Sequence, residues 1–380
     1  MPQTYIDVHV LQTVPPSNLN RDDNGSPKTA IYGGVRRARV SSQAWKHATR
    51  HDFDSRLDST ELGERTLVVA ERIADLIRQR DPELSEQALK LSAQALEAAK
   101  IKVTLPKAKT GKNSDTAEED KARTGYLLFL SRAQMEALAD LVVSSDDHKV
   151  SARDAKKALT ESRSIDLALF GRMVADAPDL NVDATAQVAH AISVHAVESE
   201  FDYFTAVDDN QSEDNAGAGM IGTVEFNSST LYRYATVNAT ELASSLGSVA
   251  AAAKAVEAFL GSFVRSMPTG KQNTFANRTL PDLVLVTVRE DQPINLVGAF
   301  EDAITLTDGR VAEATRRLVT TAQEIDEVYG KAPEAAFALA VGAAAAGSAG
   351  ETLSTYAERK TLPDLVTIVG QQVVERGEAS

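Results

Sequence analysis

YIDVHVLQTVPPSNLNRDDNGSPKTAIYGGVRRARVSSQAWKHATRH, residues 5–51, holds in one run the signals that decide the fold. Tyr5 to Leu11 alternates, with Ile6, Val8 and Val10 on one side and Asp7 and His9 on the other. That period of two predicts a half-buried strand. A loop rich in Pro, Asn and Asp follows. Val35 to Ser41 alternates again, setting Arg36, Ala38 and Val40 against Arg37, Arg39 and Ser41. Ser41 or Ser42 then caps a helix. On it Gln43, Lys46, His47 and Arg50 fall at helical spacing and form a polar, mostly basic stripe. Ala44, Trp45 and Ala48 point inward.

Working outward, residues 61–165 read as mostly helical, with apolar stripes at Val69, Ile73, Leu76 and Ile77 and at Leu84, Ala88, Leu91, Ala95 and Ala98. A polar stretch from Leu105 to Gly125 interrupts them and reads as a mobile loop. Helices resume at Leu127–Val143 and Ala152–Glu161. Ser164–Gly171 reads as a strand and Val182–Val197 as a helix. FDYFTAVDD and GTVEFNSSTLYRYATVN flank an acidic, Gly-rich tip and predict a long β-hairpin with a disordered end. A helix at Glu241–Phe263, the strand LPDLVLVTV and two or three further helices complete the chain; the alanine-biased segment after Lys331 takes a packing or linker role. These elements predict an α+β fold: a small antiparallel sheet with helices on one face, a helical insertion and a projecting hairpin.

Several chemistries have no residues to run on. The 380-residue chain contains no cysteine, so disulfides, thiolate zinc sites and cysteine nucleophiles are excluded. At Gly270-Lys271 the glycine that a phosphate-binding loop needs is Arg265, and the HExxH and GxSxG patterns are absent. His190 and His195 are five apart, which is no metal-ligand repeat. No metal or cofactor is expected. There is no secretory leader and no apolar run long enough to span a bilayer, which predicts a cytoplasmic protein away from membranes. Net charge is −14, which opposes polyanion binding, yet residues 21–50 alone carry +5 and the remainder −19. A solvated face with no ligand is the ordinary reading of one charged helix. Here loop, strand and helix are basic together on an acidic body, which favours phosphate binding. Tyr203, Phe204 and Ile221, near the hairpin tip, either wedge between bases or zip the hairpin. Asp22-Asp23 could hold a metal and cut RNA, or anchor a turn through backbone N–H groups.

The segments 6–50, ALFGRM, AHAISVHAVESEFDYFTAVDD, GTVEFNSSTLYRYA and GKQNTFANRTLPDLVLV occur in an order that resembles the CasC family, the backbone subunits of the type I-E CRISPR surveillance complex Cascade. The resemblance covers nearly the whole chain. It implies a palm with an RNA-recognition-like (ferredoxin-like) sheet, from residues 1–60, 164–198 and 237–380. It implies helical fingers at 61–163 and a β-hairpin thumb at 199–236. It implies no catalysis: copies line up head to tail along the guide RNA with other Cascade subunits, hold its phosphates whatever the sequence, and leave bases free to pair with target DNA. The positions carried over are Arg21, Lys28, Ser41, Gln43, Lys46 and Arg50 for RNA, Met173 against the kinked strand, and Tyr203, Phe204, Thr205 and Ile221 as the thumb wedge. Arg36, Arg37 and Arg39 join the RNA-binding set from the basic strand. Val35 and His47 depart from the family pattern, each standing where a basic residue can occur. The alternative is a metal-dependent ribonuclease of related architecture using Asp22 or Asp23.

Overall fold

In the computed structural model, which describes residues 3–106, 121–206 and 220–379, the opening alternation runs on as the strand β1 (Tyr5–Ser17). Both of its faces are covered: Asp7 and His9 are as buried as Ile6, Val8 and Val10. The half-buried expectation is therefore corrected, because β1 is a central strand with packing on either side. Leu11 shares an apolar layer with Ala314, Leu318 and Ala322 of the helix Arg310–Tyr329. On the opposite face Val14 packs with Trp45 and Met267. The polar face of β1 is absorbed by a buried network. Tyr234 donates to Asp7 Oδ1 at 2.9 Å, Ile294 N donates to Asp7 Oδ2 at 2.9 Å, and His9 Nδ1 lies 3.0 Å from the Tyr232 hydroxyl.

The sheet is larger than expected, with ten strands. After β1 come β2 (Thr29–Tyr32), β3 (Val35–Val40), β4 (Ala186–Val188), β5 (Ala191–Ser193), β6 (Glu200–Ala206), β7 (Met220–Asn238), β8 (Leu283–Arg289), β9 (Ala335–Ala340) and β10 (Glu358–Arg359). Their order is β10-β9-β8-β1-β7-β5-β3-β2, with β4 and β6 also on β7. The chain is thus mixed α+β around one large sheet. Three segments differ from their predicted type. Ser164–Gly171 forms the helix Ile165–Phe170, ended by Gly171 at φ +74°. Val182–Val197 forms β4 and β5, since Ile192 and Ser193 pair with Tyr232 and Leu231 of β7. Short apolar runs fit either state, and the available partner strand decides. The single helix expected at Glu241–Phe263 is two, Ala239–Leu246 and Val249–Arg265, separated at Gly247 with φ +75°. The alanine-biased segment supplies β9.

The chain divides into two units. The first contains residues up to 53, 187–240 and 256 onward, and holds most of the sheet. The second contains 54–186 and 241–255, so it begins before residue 61 and takes in the GRM segment. Its core gathers Ile73, Ala74 and Ile77 of the helix Val69–Arg80 with Leu138 and Val142 of the helix Arg132–Ser144. Strand pairs at Gly63–Thr66 with Leu128–Ser131 and at Val103–Thr104 with Arg123–Thr124 accompany these helices, where helix and, around Arg123–Thr124, a loop were expected. Most of the predicted mobile loop, and the predicted hairpin tip, lie outside the described residues. Among the described residues no helix is long and apolar enough to cross a membrane.

Candidate nucleic-acid interface

The basic loop is built on local hydrogen bonds. Asp22 Oδ1 accepts from Asn24 N at 2.9 Å and Ser26 N at 3.0 Å, which closes the turn beneath Arg21 and Lys28. Arg21 and Pro27 form a β-bridge, and Lys28 N donates to Asn20 O at 2.8 Å. Buried Asn18 fastens the loop to β7, its Nδ2 donating to Gly25 O and Glu225 O, each at 2.9 Å. Arg21 is exposed and Lys28 half-buried, and neither has a carboxylate partner among the described residues.

Next comes a two-residue hairpin. Gly33 and Gly34 both have positive φ, +58° and +77°, the conformation that tight β-turns of this handedness require. Gly33 cannot be anything larger, because a Cβ there would sit 1.7 Å from Glu301 O. On β3 the arginines separate. Arg36 is exposed opposite Ile31 and has no carboxylate partner among the described residues. Arg37 has no exposed surface. Its guanidinium donates to Tyr32 O at 3.2 Å and to Ser193 O, Phe300 O and Glu301 O at 2.9 Å each. Arg37 is therefore corrected from a phosphate ligand to an internal clamp: each of its three guanidinium nitrogens donates to a backbone carbonyl. Arg39, half-buried, reaches Thr29 O at 3.3 Å and His190 Nδ1 at 3.2 Å. Burial, and then the charges of Arg39 and Lys28, lower the His190 pKa, which places these three side chains in one electropositive spot.

Ser41 caps the helix Ser42–Asp52, its Oγ accepting from Ala44 N at 3.3 Å, and the cap leaves Ser41 itself buried. Trp45 faces inward as expected, and so does Thr49, which the spacing does not single out; Gln43 and His47 are exposed, and Lys46 and Arg50 are half-buried on the outer side. Ala44 and Ala48, expected inside, are only partly covered. The helix is fixed by Arg233 of β7, whose guanidinium carbon lies 3.7 Å from the Trp45 ring centre and 4.4 Å from that of Phe263. Sequence reading missed Arg233; its place between Tyr232 and Tyr234 in a strand was the available signal.

β6 pairs antiparallel with the first part of β7, beyond the stretch of β7 that joins β1. Tyr203 faces outward and is 64 % exposed, and its face-mate Phe201, which the sequence reading passed over, is 68 % exposed. Phe204 points to the other side over Gly222, whose missing Cβ leaves room for the ring. Thr205 is exposed; the side chain of Ile221 lies outside the described residues. In the second unit, Met173 is 82 % exposed. Its neighbours aim it outward: Gly171 abuts Val182 O, and buried Arg172 donates to Leu180 O, Phe129 O and Leu159 O. Among the described residues no group of His, Asp and Glu is arranged to hold a metal.

A family model for CT1975-like proteins matches residues 6–368. The chain belongs to that family. Two solved structures are similar along nearly all of it. One, titled "CRISPR RNA-guided surveillance complex, pre-nicking", is 34 % identical with a TM-score of 0.79, over 97 % of this chain and 100 % of the other. A second, titled "CRISPR RNA-guided surveillance complex", is 29 % identical with a TM-score of 0.62, over 97 % and 99 %. No curated protein matches.

Proposed function

We propose that the chain is a type I-E Cascade backbone subunit of the CasC kind, which polymerises head to tail along guide RNA in antiviral defence. It binds phosphates without reading sequence, presents bases for pairing with target DNA, and does so without catalysis. One observation carries the reading: Arg21, Lys28 and Arg36, without carboxylate partners among the described residues, share a continuous loop–strand–helix run with Lys46 and Arg50 in an otherwise acidic chain. Arginine and lysine on phosphate oxygens give affinity and no sequence preference, as a coat on variable guides requires. The likeness to surveillance-complex chains supports the same reading. So does the centre of the sheet, where β8-β1-β7-β5 follows the strand order of a ferredoxin-like palm, with the helices Ser42–Asp52 and Val249–Arg265 on its two crossovers. Tyr203 and Phe201 are exposed on β6, and stacking on aromatic faces is sequence-tolerant, which supports a base-contacting thumb. A head-to-tail contact joins unlike surfaces and so extends into a filament. The ribonuclease alternative gains nothing from the geometry, since Asp22 is engaged in its own turn.

The test is to purify the protein with co-expressed partner subunits, size the bound RNA, and titrate salt. Short RNA of uniform length is expected, and Lys46→Ala with Arg50→Ala should flatten the log K against log salt slope by about 0.7 per lost phosphate contact on a single strand. Absence of RNA and of salt-dependent binding would reject the proposal.

A further inference from the structure

Asn24-Gly25 is the one Asn-Gly pair in the chain, and it stands in the basic loop between Arg21 and Lys28. Both residues are exposed. Gly25 has φ +87°, and the space a side chain would take there is open, with no atom within 4 Å. The Asn24 side-chain amide has no hydrogen-bond partner among the described residues. An asparagine followed by glycine sets an electrophile beside a nucleophile. The backbone nitrogen of Gly25 is one bond short of closing a five-membered ring on Asn24 Cγ, and no side chain at position 25 screens the approach.

What restrains this reaction is the turn. Gly25 N donates to Asp22 O at 3.1 Å, Asn24 N and Ser26 N donate to Asp22 Oδ1 at 2.9 and 3.0 Å, and Asp22 N donates to Ser26 O at 2.9 Å. Asn18 Nδ2 holds Gly25 O at 2.9 Å. The attacking nitrogen must leave Asp22 O and lose its proton before it can reach Cγ. Asp22, Asn24 and Gly25 are all exposed, where water replaces such bonds at small cost, so the turn opens locally well short of unfolding.

We infer that Asn24 is a self-modification site, converting to aspartate and isoaspartate through a succinimide at a rate set by the Asp22 turn. Gly25 N loses its proton and bonds to Asn24 Cγ, the Cγ–Nδ2 bond breaks, and ammonia leaves. One water then adds to either carbonyl of the ring and reopens it. Opening at Cγ returns the ordinary backbone with a carboxylate side chain; opening at the other carbonyl routes the backbone through Cβ. Nothing is oxidised or reduced. Residues 18–28 carry Arg21 and Lys28 against Asp22 and Asp23, so the loop is neutral before the conversion and gains a negative charge by it. That charge opposes a phosphate ligand. This consequence rests on the RNA-coating reading; the chemistry itself does not.

The test follows the full chain at mildly alkaline pH by peptide mass spectrometry, which reads the exchange of an amide NH2 for OH and resolves the two isomeric products. Wild type, Asp22→Ala, Asp22→Asn and urea-unfolded wild type are compared, with thermal melts to verify that the Asp22 variants are folded. Wild type should convert at Asn24 before any other asparagine, and more slowly than the unfolded chain. Asp22→Ala should convert about ten-fold faster than wild type, equal to about 1.4 kcal/mol of turn stability, while Asp22→Asn keeps an acceptor and should stay within about two-fold. A folded wild type that stays unmodified while the unfolded chain converts would overturn the site. Equal rates in wild type and Asp22→Ala would overturn the control by the turn. For the consequence, Asn24→Asp should bind single-stranded RNA about two- to five-fold more weakly than wild type at low salt. Equal affinity would overturn the consequence; absence of RNA binding by wild type would refute the coating reading and leave the conversion standing on its mass spectrum.

Discussion

Exchanging Arg36 and Arg37 for alanine, one at a time, separates a surface cation from an internal one at adjacent positions of β3. Arg37 is buried and donates to the carbonyls of Tyr32, Ser193, Phe300 and Glu301, which lie on three different parts of the chain. A hydrogen bond from a charged donor contributes about 1.5–3 kcal/mol, and desolvation of the guanidinium offsets much of the sum. Removing the guanidinium leaves four carbonyl acceptors without it, at about 1–3 kcal/mol each, so that with desolvation offset the net cost is about 3–5 kcal/mol. At about 2 °C per kcal/mol for a chain of this size, Arg37→Ala should lower the melting temperature by about 6–10 °C. Arg36 is exposed, so Arg36→Ala should change stability by no more than about 0.5 kcal/mol. The RNA assay should reverse the ranking: Arg36→Ala flattens the salt slope by about 0.7, and Arg37→Ala, measured well below its melting point, keeps it. Calorimetry and the salt titration read the two effects separately. An Arg37→Ala protein that melts with wild type, or an Arg36→Ala protein with an unchanged slope, would refute the assignment.

Gly33→Ala should disrupt the β2–β3 hairpin severely, since its Cβ would meet Glu301 O at 1.7 Å, whereas Gly34→Ala meets nothing within 4 Å and should cost only about 1 kcal/mol of backbone strain; parallel thermal melts check the contrast. Asp22→Asn keeps an oxygen to accept from Asn24 N and Ser26 N and should preserve RNA affinity, while Asp22→Ala loosens the loop and weakens it; RNA cleavage abolished by both would instead favour the ribonuclease. Burial raises the Asp7 pKa to about 6, so the folded state holds that proton more tightly and Asp7 contributes stability that is lost as pH rises from about 4 to 6. Burial lowers His9 from 6.5 to about 3 and His195 from 6.5 to about 4, so each contributes stability that is lost as pH falls from 6.5 to those values, a window that spans the Asp7 range. Asp7→Asn removes the opposing contribution and should steepen the rise of stability between pH 4 and 6 by up to about 1.4 kcal/mol per pH unit, read by denaturant titration at pH 4, 5 and 6.

The strand and helix of residues 5–51 were legible because their periods are clean and Ser41 is a good cap. The paired strands β6 and β7 were legible because two apolar runs flank a turn-rich stretch. What failed was local ambiguity resolved at long range. Ile192 and Ser193 became strand only because Tyr232 and Leu231 offered an edge nearly forty residues away. Ile165–Phe170 became helix because Gly171 could end it in a left-handed turn against Val182. The candidate interface was read from charge alone, and charge does not reveal direction. Alternation put Arg37 and Arg39 on one face of β3, yet on that face Arg37 is covered by the 300–301 turn and reaches Ser193 O of the neighbouring strand, while Arg39 stays half-exposed.

Arg37 is one of three arginines that serve the same end. Arg172 donates to Leu180 O, Phe129 O and Leu159 O, and Arg233 donates to Gln12 Oε1 and Phe263 O between two aromatic rings. None of the three has a carboxylate partner among the described residues. Five N–H donors in a rigid plane let one guanidinium gather carbonyls from several segments, which a lysine ammonium cannot do. Burying an unpaired cation is costly, but burial lowers the pKa of Arg233 only to about 9 and of Arg172 to about 10, so both stay charged at neutral pH. The acidic remainder of the chain favours such cations through its long-range field. Arginine in this protein therefore has two physical employments, and sequence counts merge them. Each buried guanidinium lies by an outward-facing group: Arg37 beside exposed Arg36, Arg172 beside exposed Met173, and Arg233 beneath the helix of the half-buried Lys46 and Arg50. The internal cations set where the external ones stand, so a change at a clamp reaches the surface only by moving its neighbour, and a change at the neighbour leaves the clamp intact.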